Sequence, residues 1–188
     1  MTRKTVAILI ALFLCVLFLS TFGSFLTGFA VLDNEEITLK NYHYPFIKNN
    51  VPNSLYIVIP YAGEPEEYAA YTRIARSLKL TNPLPPEIVT DKEVPEGAHN
   101  LIIIGDPCNN ELIAKELNTN KCNIDLRKGE GLLKLINHDR TSTLVVSGYS
   151  PDDITKASVV LANSNFYPLR GKEIRVVGKV GSLSLYYY

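Results

Sequence analysis

The sequence predicts a three-layer α/β domain, a mostly parallel sheet with helices on its faces, carried behind one N-terminal transmembrane helix. Two observations predict it. Thr5 to Leu32 runs for 28 residues without a charge, more than the ~20 that a helix needs to cross the hydrocarbon core. Beyond it, short Ile/Val/Leu-rich runs alternate with helical patterns of about ten to fifteen residues, the mark of βαβ units. The chain of 188 residues therefore divides into an anchor or signal sequence at 1–32, a stalk or linker at 33–54, and an extracytoplasmic domain at 55–188, long enough for one core.

Met1-Thr2-Arg3-Lys4 is short and basic. Retained positive charge keeps the amino terminus in the cytoplasm and places the domain outside. Gly28-Phe29-Ala30 offers small residues for cleavage after Ala30. The apolar run exceeds the ~7 to 15 residues of a usual signal-peptide core, which favours an uncleaved anchor. Either way the domain is exported. From Asp33 to Ser54 the chain is polar and broken by Pro45 and Pro52, and reads as an irregular lead-in.

The elements follow in order. "LYIVIP" at Leu55–Pro60 is a strand of the kind buried on both faces. Pro65 begins a helix whose Tyr68, Tyr71, Ile74, Ala75 and Leu78 share one side, with acids in its first turn and an end near Leu80. "TNPLPPE" breaks it, and "EIVTD" around Ile88 is a short strand. "NLIIIGD", Asn100–Asp106, is the clearest buried strand. Asn110 then caps a helix that turns Leu112, Ile113 and Leu117 inward. Leu132–Asp139 and Ser142–Tyr149 form strands joined by a hairpin-like turn. A helix runs from Pro151 to about Asn163, "EIRVVGKVG" is a last strand, and "SLSLYYY" is an aromatic tail.

Charge and cysteine usage narrow the function classes. Lys and Arg number 19, as do Asp and Glu, and setting aside Arg3 and Lys4 leaves 17 against 19. A domain near −2 has no electrostatic footprint for nucleic acid. Cys15 lies in the apolar run, so Cys108 and Cys122 are the exported pair. In an oxidising compartment they predict a disulfide closing a loop of about fifteen residues; two unpaired thiols are the alternative.

Ligands of parallel sheets sit beyond the carboxyl ends of strands. Two loops lie there, Gly105-Asp106-Pro107-Cys108-Asn109-Asn110 and Ser147-Gly148-Tyr149-Ser150-Pro151-Asp152-Asp153. They offer Asp106, Cys108, Tyr149, Asp152 and Asp153 to a hydrolytic or metal site. The second loop is better explained as a helix start. Gly148 and Tyr149 make the turn, Ser150 is the N-cap, Pro151 takes the first helical position, and Asp153 reaches back to the cap's N–H while both acids face the positive end of the dipole. A nucleophilic Cys108 wants a histidine base, and His43, His99 and His138 stand in no motif. CxxC, HExxH and P-loop patterns are absent, and no catalytic residue, metal or cofactor is expected.

"NLIIIGDPCNNELIAKEL" followed by "GEGLLKLINHDRTSTLVVSGYSPDDITKASVVLAN" resembles the carboxyl-terminal region of archaeal S-layer-like proteins. The positions carrying the likeness are Gly105, Pro107, Cys108, Asn110, Gly131, Gly148, Tyr149, Ser150, Asp152 or Asp153, Ala157 and Leu161, within roughly Asn100 to Asn165. Asp106 departs from the family's second loop glycine. The resemblance implies an extracellular, structural envelope role in a short membrane-anchored form. The expected function is a non-catalytic membrane-tethered interaction module, with the membrane, envelope proteins or its own copies as partners and no nucleic acid. The alternative is an extracytoplasmic ligand-binding, hydrolase or redox domain built on loops 105–110 and 147–153.

Overall fold

The computed structural model describes residues 36–78, 86–139 and 141–188. The chain divides after Glu36, and the unit described here is Ile37–Tyr188. A short 3-10 turn at Leu39–Asn41 leads to a small hairpin, β1 (Ile47–Lys48) and β2 (Val51–Pro52). Then come β3 (Leu55–Ile59), α1 (Pro65–Ser77), β4 (Glu87–Thr90), β5 (Asn100–Ile104), α2 (Glu111–Glu116), β6 (Gly131–Asn137), β7 (Ser142–Gly148), α3 (Pro151–Ala162), β8 (Glu173–Lys179) and β9 (Ser182–Tyr187).

Seven strands form one sheet in the order β4-β3-β5-β7-β6-β8-β9. The first four are mutually parallel; β6, β8 and β9 join by antiparallel pairing. The fold is α/β, but the expected mostly parallel sheet is instead a mixed one. The tight turn after β6 and the Val180-Gly181 turn after Lys179 are too short for crossovers, and a short connection forces its strands antiparallel.

Alternation along the strands divides the core between two faces. Ile102, Ile104, Leu144 and Val146 join Ala70 and Ile74 of α1 and Ile154, Ala157, Val160 and Leu161 of α3 in the larger cluster. Val58, Ile103 and Val145 turn the other way, onto Ile113 of α2.

Two expectations give way at the ends of the domain. The lead-in is no stalk from Ile37 onward: Leu39 and Phe46 are each 1% exposed in the larger cluster. Leu39 N–H donates to Gly171 O at 2.8 Å, and Asn137 Nδ2 donates to Ile37 O at 2.7 Å. Isolated apolar residues in a polar stretch carry no periodicity, so their burial is set by tertiary contact alone. The aromatic tail is likewise a strand, β9, registered on β8 from Ser182–Lys179 to Tyr187–Ile174. The expected membrane helix, Thr5–Leu32, lies outside the described residues. Among the described residues no helix is long and apolar enough to cross a membrane.

Candidate functional site

Connections leave β3 and β5 toward opposite faces: α1 packs in the larger cluster and α2 in the smaller. That divergence makes the carboxyl ends of β3 and β5 the switch point of the parallel strands, where ligands of such sheets bind. The site is built from Pro60 and Tyr61 after β3, the first turn of α1, Asp91 after β4, and Gly105-Asp106 after β5.

Glu67 is the central group. It stands at the third position of α1 behind Pro65, only 1% exposed, and its Oε2 accepts the Glu64 N–H at 2.7 Å. Gly105 has φ +132°, and a Cβ there would lie 2.9 Å from Pro60 Cγ and 3.1 Å from Glu67 Oε1. Glycine thus lets the carboxyl lie against the β5 loop. Burial pushes the Glu67 pKa up to about 7; the Glu64 N–H opposes that, while the charges of Asp106, Glu64 and Glu66 add to it. Glu67 can hold a proton near neutral pH. Sequence alone credits Glu67 only with favouring the helix dipole. The available signal was its place three residues after Glu64, the spacing of a capping box, at the end of a buried strand.

The neighbouring polar groups are engaged in shaping loops. Asp106 accepts from Cys108 N–H at 2.7 Å, Asn109 N–H at 3.2 Å and Asn109 Nδ2 at 3.0 Å. Asp91 ties Tyr61 N–H (2.9 Å) to the start of α2 through Glu111 N–H (3.3 Å). Asn110 caps α2 with its Oδ1, as its type suggests, and donates to Ile104 O. Cys108 is bonded to Cys122, with Cα atoms 4.9 Å apart. Its sulfur is therefore no thiolate nucleophile. His138 pairs with Glu116 at 3.0 Å, His99 is exposed beside β5, and His43 lies against Tyr42.

The second loop emerges beside the first, because β5 and β7 are neighbours and Gly105 N–H bonds Val146 O. The two loops then part toward opposite faces. Ser150 is the N-cap and Pro151 the first helical residue, but the expected capping box differs. Ser150 Oγ donates to Asp153 Oδ2 at 2.6 Å rather than accepting a backbone N–H, and Asp153 Oδ1 accepts from Lys156 Nζ at 2.6 Å. Asp153 is 2% exposed, and a buried carboxylate prefers a cation to the weaker bond from its own cap. Asp152 and Tyr149 are exposed. Gly148 and Gly131 face each other on β7 and β6. A Cβ on either would lie 2.5 Å from backbone atoms of α3, Ile154 N and Asp153 O respectively. The loop's glycine and acids thus seat α3 on the sheet.

Two further polar clusters have similar explanations. A groove of about 520 Å³ between α1 and the carboxyl end of α3 is lined by Thr72, Arg73, Arg76, Ala162 and Asn163 among others. Arg73 donates to Ser158 Oγ at 2.7 Å, and Arg76 lies in the last turn of α1, where a cation offsets the negative helix end. On the β6–β8 surface, Glu173 binds Lys134 (2.9 Å) and Arg175 (2.8 Å). Burial alone would raise the Glu173 pKa, but these two cations together hold it below the usual carboxylate range. Among the described residues no group of three or more His, Cys, Asp or Glu is placed to hold a metal ion.

No family model matches the chain, and no curated protein does. Among solved structures it is similar to that of CpGH84D, with 15% identity and a TM-score of 0.41 over 65% of this chain. The chain spans about a fifth of that protein, 19% of its length. A likeness at that score assigns neither fold family nor function.

Proposed function

We propose that the chain is a non-catalytic interaction module of the cell envelope, tethered by a transmembrane helix within residues 1–32 and displayed outside the membrane. The observation that carries this reading is the Cys108–Cys122 disulfide at the head of α2. Such bonds form and persist in oxidising compartments, and this one occupies the sulfur that a cysteine nucleophile would need. The uncharged run before the domain supplies the tether, with Arg3 and Lys4 setting its orientation. Asp106 shapes its turn and Asp153 pairs with Lys156. Asp152 stands in the first turn of α3, where the helix dipole favours an acid. The exposed tyrosines are the surface suited to protein contact. The S-layer-like part of the proposal rests on the sequence resemblance over Asn100–Asn165 alone.

Protease added to intact cells tests the display. The domain is expected to be cleaved while a cytosolic marker survives; full-length chain recovered only from the cytosol, and protected there, refutes it. Glu67 favours a second reading, a ligand-binding domain that takes a proton-bearing group at the β3–β5 switch point. Under that reading Glu67→Gln, which keeps the shape of the protonated acid but cannot titrate, removes the pH dependence of ligand binding near neutral pH while the fold persists.

A further inference from the structure

The two outer strands of the sheet differ in how they are guarded. β4 has four residues, begins with the charged Glu87 and runs into Asp91, and short charged edges resist pairing. β9 has six residues, Ser182-Leu183-Ser184-Leu185-Tyr186-Tyr187, without a charge or a proline. Among the described residues nothing pairs with its outer side.

The register shows which backbone groups that side offers. Tyr188 N–H donates to Glu173 O at 3.0 Å, and antiparallel ladders alternate between bonded and non-bonded pairs. Tyr186, Ser184 and Ser182 therefore bond to β8. Leu183, Leu185 and Tyr187 direct their N–H and C=O groups outward. Their side chains lie on the core face, where Leu183 and Leu185 pack against the larger cluster. Tyr186, 55% exposed, lies on the opposite face with Ser182 and Ser184.

We infer that β9 pairs antiparallel with β9 of a second copy, about a two-fold axis through Leu185, joining two sheets into one. The partner's identity follows from self-complementarity. In that register Leu185 faces its own copy and Leu183 faces Tyr187, each a pair whose outward groups exchange both hydrogen bonds. On the other face Ser184 meets Tyr186, and Ser182 meets Tyr188. Aliphatic meets aliphatic or aromatic, hydroxyl meets tyrosine, and no like charges are opposed, which cross-strand pairing requires. Lys179 lies outside the paired span. A two-fold contact of this kind uses one patch twice and closes as a dimer. It rests on the interaction-module reading only in giving that module a partner, and holds whichever side of the membrane the domain occupies.

The test uses the full chain in detergent micelles. Its mass by light scattering is expected to be that of two chains, and Ser184→Glu with Tyr186→Glu is expected to be monomeric with the thermal midpoint that the unmodified chain shows when diluted to the monomer. Within the monomer the carboxylate introduced in place of Tyr186 faces Arg175. Across the pair it meets the carboxylate introduced in place of Ser184 of the copy, and like charges directly opposite each other repel. Amide exchange of the unmodified chain reads the same contact without a variant. Leu183, Leu185 and Tyr187 should exchange at least about ten-fold more slowly in concentrated than in dilute protein, with Ser184 and Tyr186 unchanged. A monomer, a dimer that survives the double substitution, or outward amides that exchange fast in the dimer overturns the inference. Loss of the dimer leaves the export proposal standing, and cytosolic protein leaves the pairing standing.

Discussion

At Gly148 a single methyl group has nowhere to go, since it would meet the Ile154 nitrogen at 2.5 Å. Gly148→Ala is expected to cost about 1–3 kcal/mol, the range for overpacking a tight site, as read from a urea midpoint. Next to it, Asp153→Ala leaves the ammonium of Lys156, whose side chain is only 16% exposed, with the Gly129 carbonyl and no counter-charge from Asp153. That loss is expected to be about 3 kcal/mol, as when one partner of a buried pair is removed. Ser150→Ala removes one bond to a charge and should cost about 1.5 kcal/mol. The identities of Ser150, Pro151 and Asp153 announced a helix start; what they could not announce was Lys156, three residues on, as the acid's partner. Glu67 gives a pH signature. Its native pKa of about 7 stands above the ordinary 4.5, so the folded chain keeps a proton that the unfolded chain has already released. Stability linked to that proton is full below pH 4.5 and is lost as pH rises to about 7. Glu173 works in the opposite sense, since its pKa is lowered, and its contribution is lost only as pH falls into the acid range. Between about pH 5 and 7 Glu67→Gln should therefore flatten the decline in stability seen in the unsubstituted domain.

The elements record how far local pattern reaches. β3, β5, β7, α1 and α3 were legible because buried strands are written as continuous apolar runs and helices as a 3.6-residue stripe. β9 was written too, as the two-residue alternation Ser-Leu-Ser-Leu-Tyr-Tyr, but three consecutive tyrosines from Tyr186 to Tyr188 masked the period. The β6–β7 hairpin was legible in its short turn, but the place of β8 was not, because where it inserts depends on which edge of β6 is free, a long-range matter. α2 is a helix of six residues, too short to persist without tertiary support, and the disulfide closes the chain around it. Replacing both Cys108 and Cys122 with serine is expected to cost about 3 kcal/mol in the chain-entropy account of a loop this size. Amide exchange should rise most in α2 and the turns up to Leu126, while α3 keeps its protection.

Across the whole molecule, sequence and structure point to function by different routes. Under the proposal the uncharged run Thr5–Leu32, with its flanking Arg3 and Lys4, is the membrane address, and Ile37–Tyr188 is the domain that would be displayed there. Its carboxyl-edge loops are held by their own polar groups, and among the described residues nothing pairs with the outer side of its tyrosine-rich edge strand. The short turn motifs behind the expectation of an S-layer-like domain over Asn100–Asn165 have physical explanations of their own: Gly131 and Gly148 clear space for α3, and Asn110 caps α2. The raised pKa of Glu67 was hidden because it follows from burial, with the carboxyl lying beside Gly105 at the end of β5, a neighbour that its own helix pattern does not reveal. Export of a disulfide-closed domain is tested most directly by the state of its cysteines in living cells. Free thiols are alkylated at the moment of lysis, and the peptides are then identified without reduction. An exported domain yields a linked Cys108–Cys122 peptide with neither sulfur alkylated; recovery of both cysteines fully alkylated contradicts it.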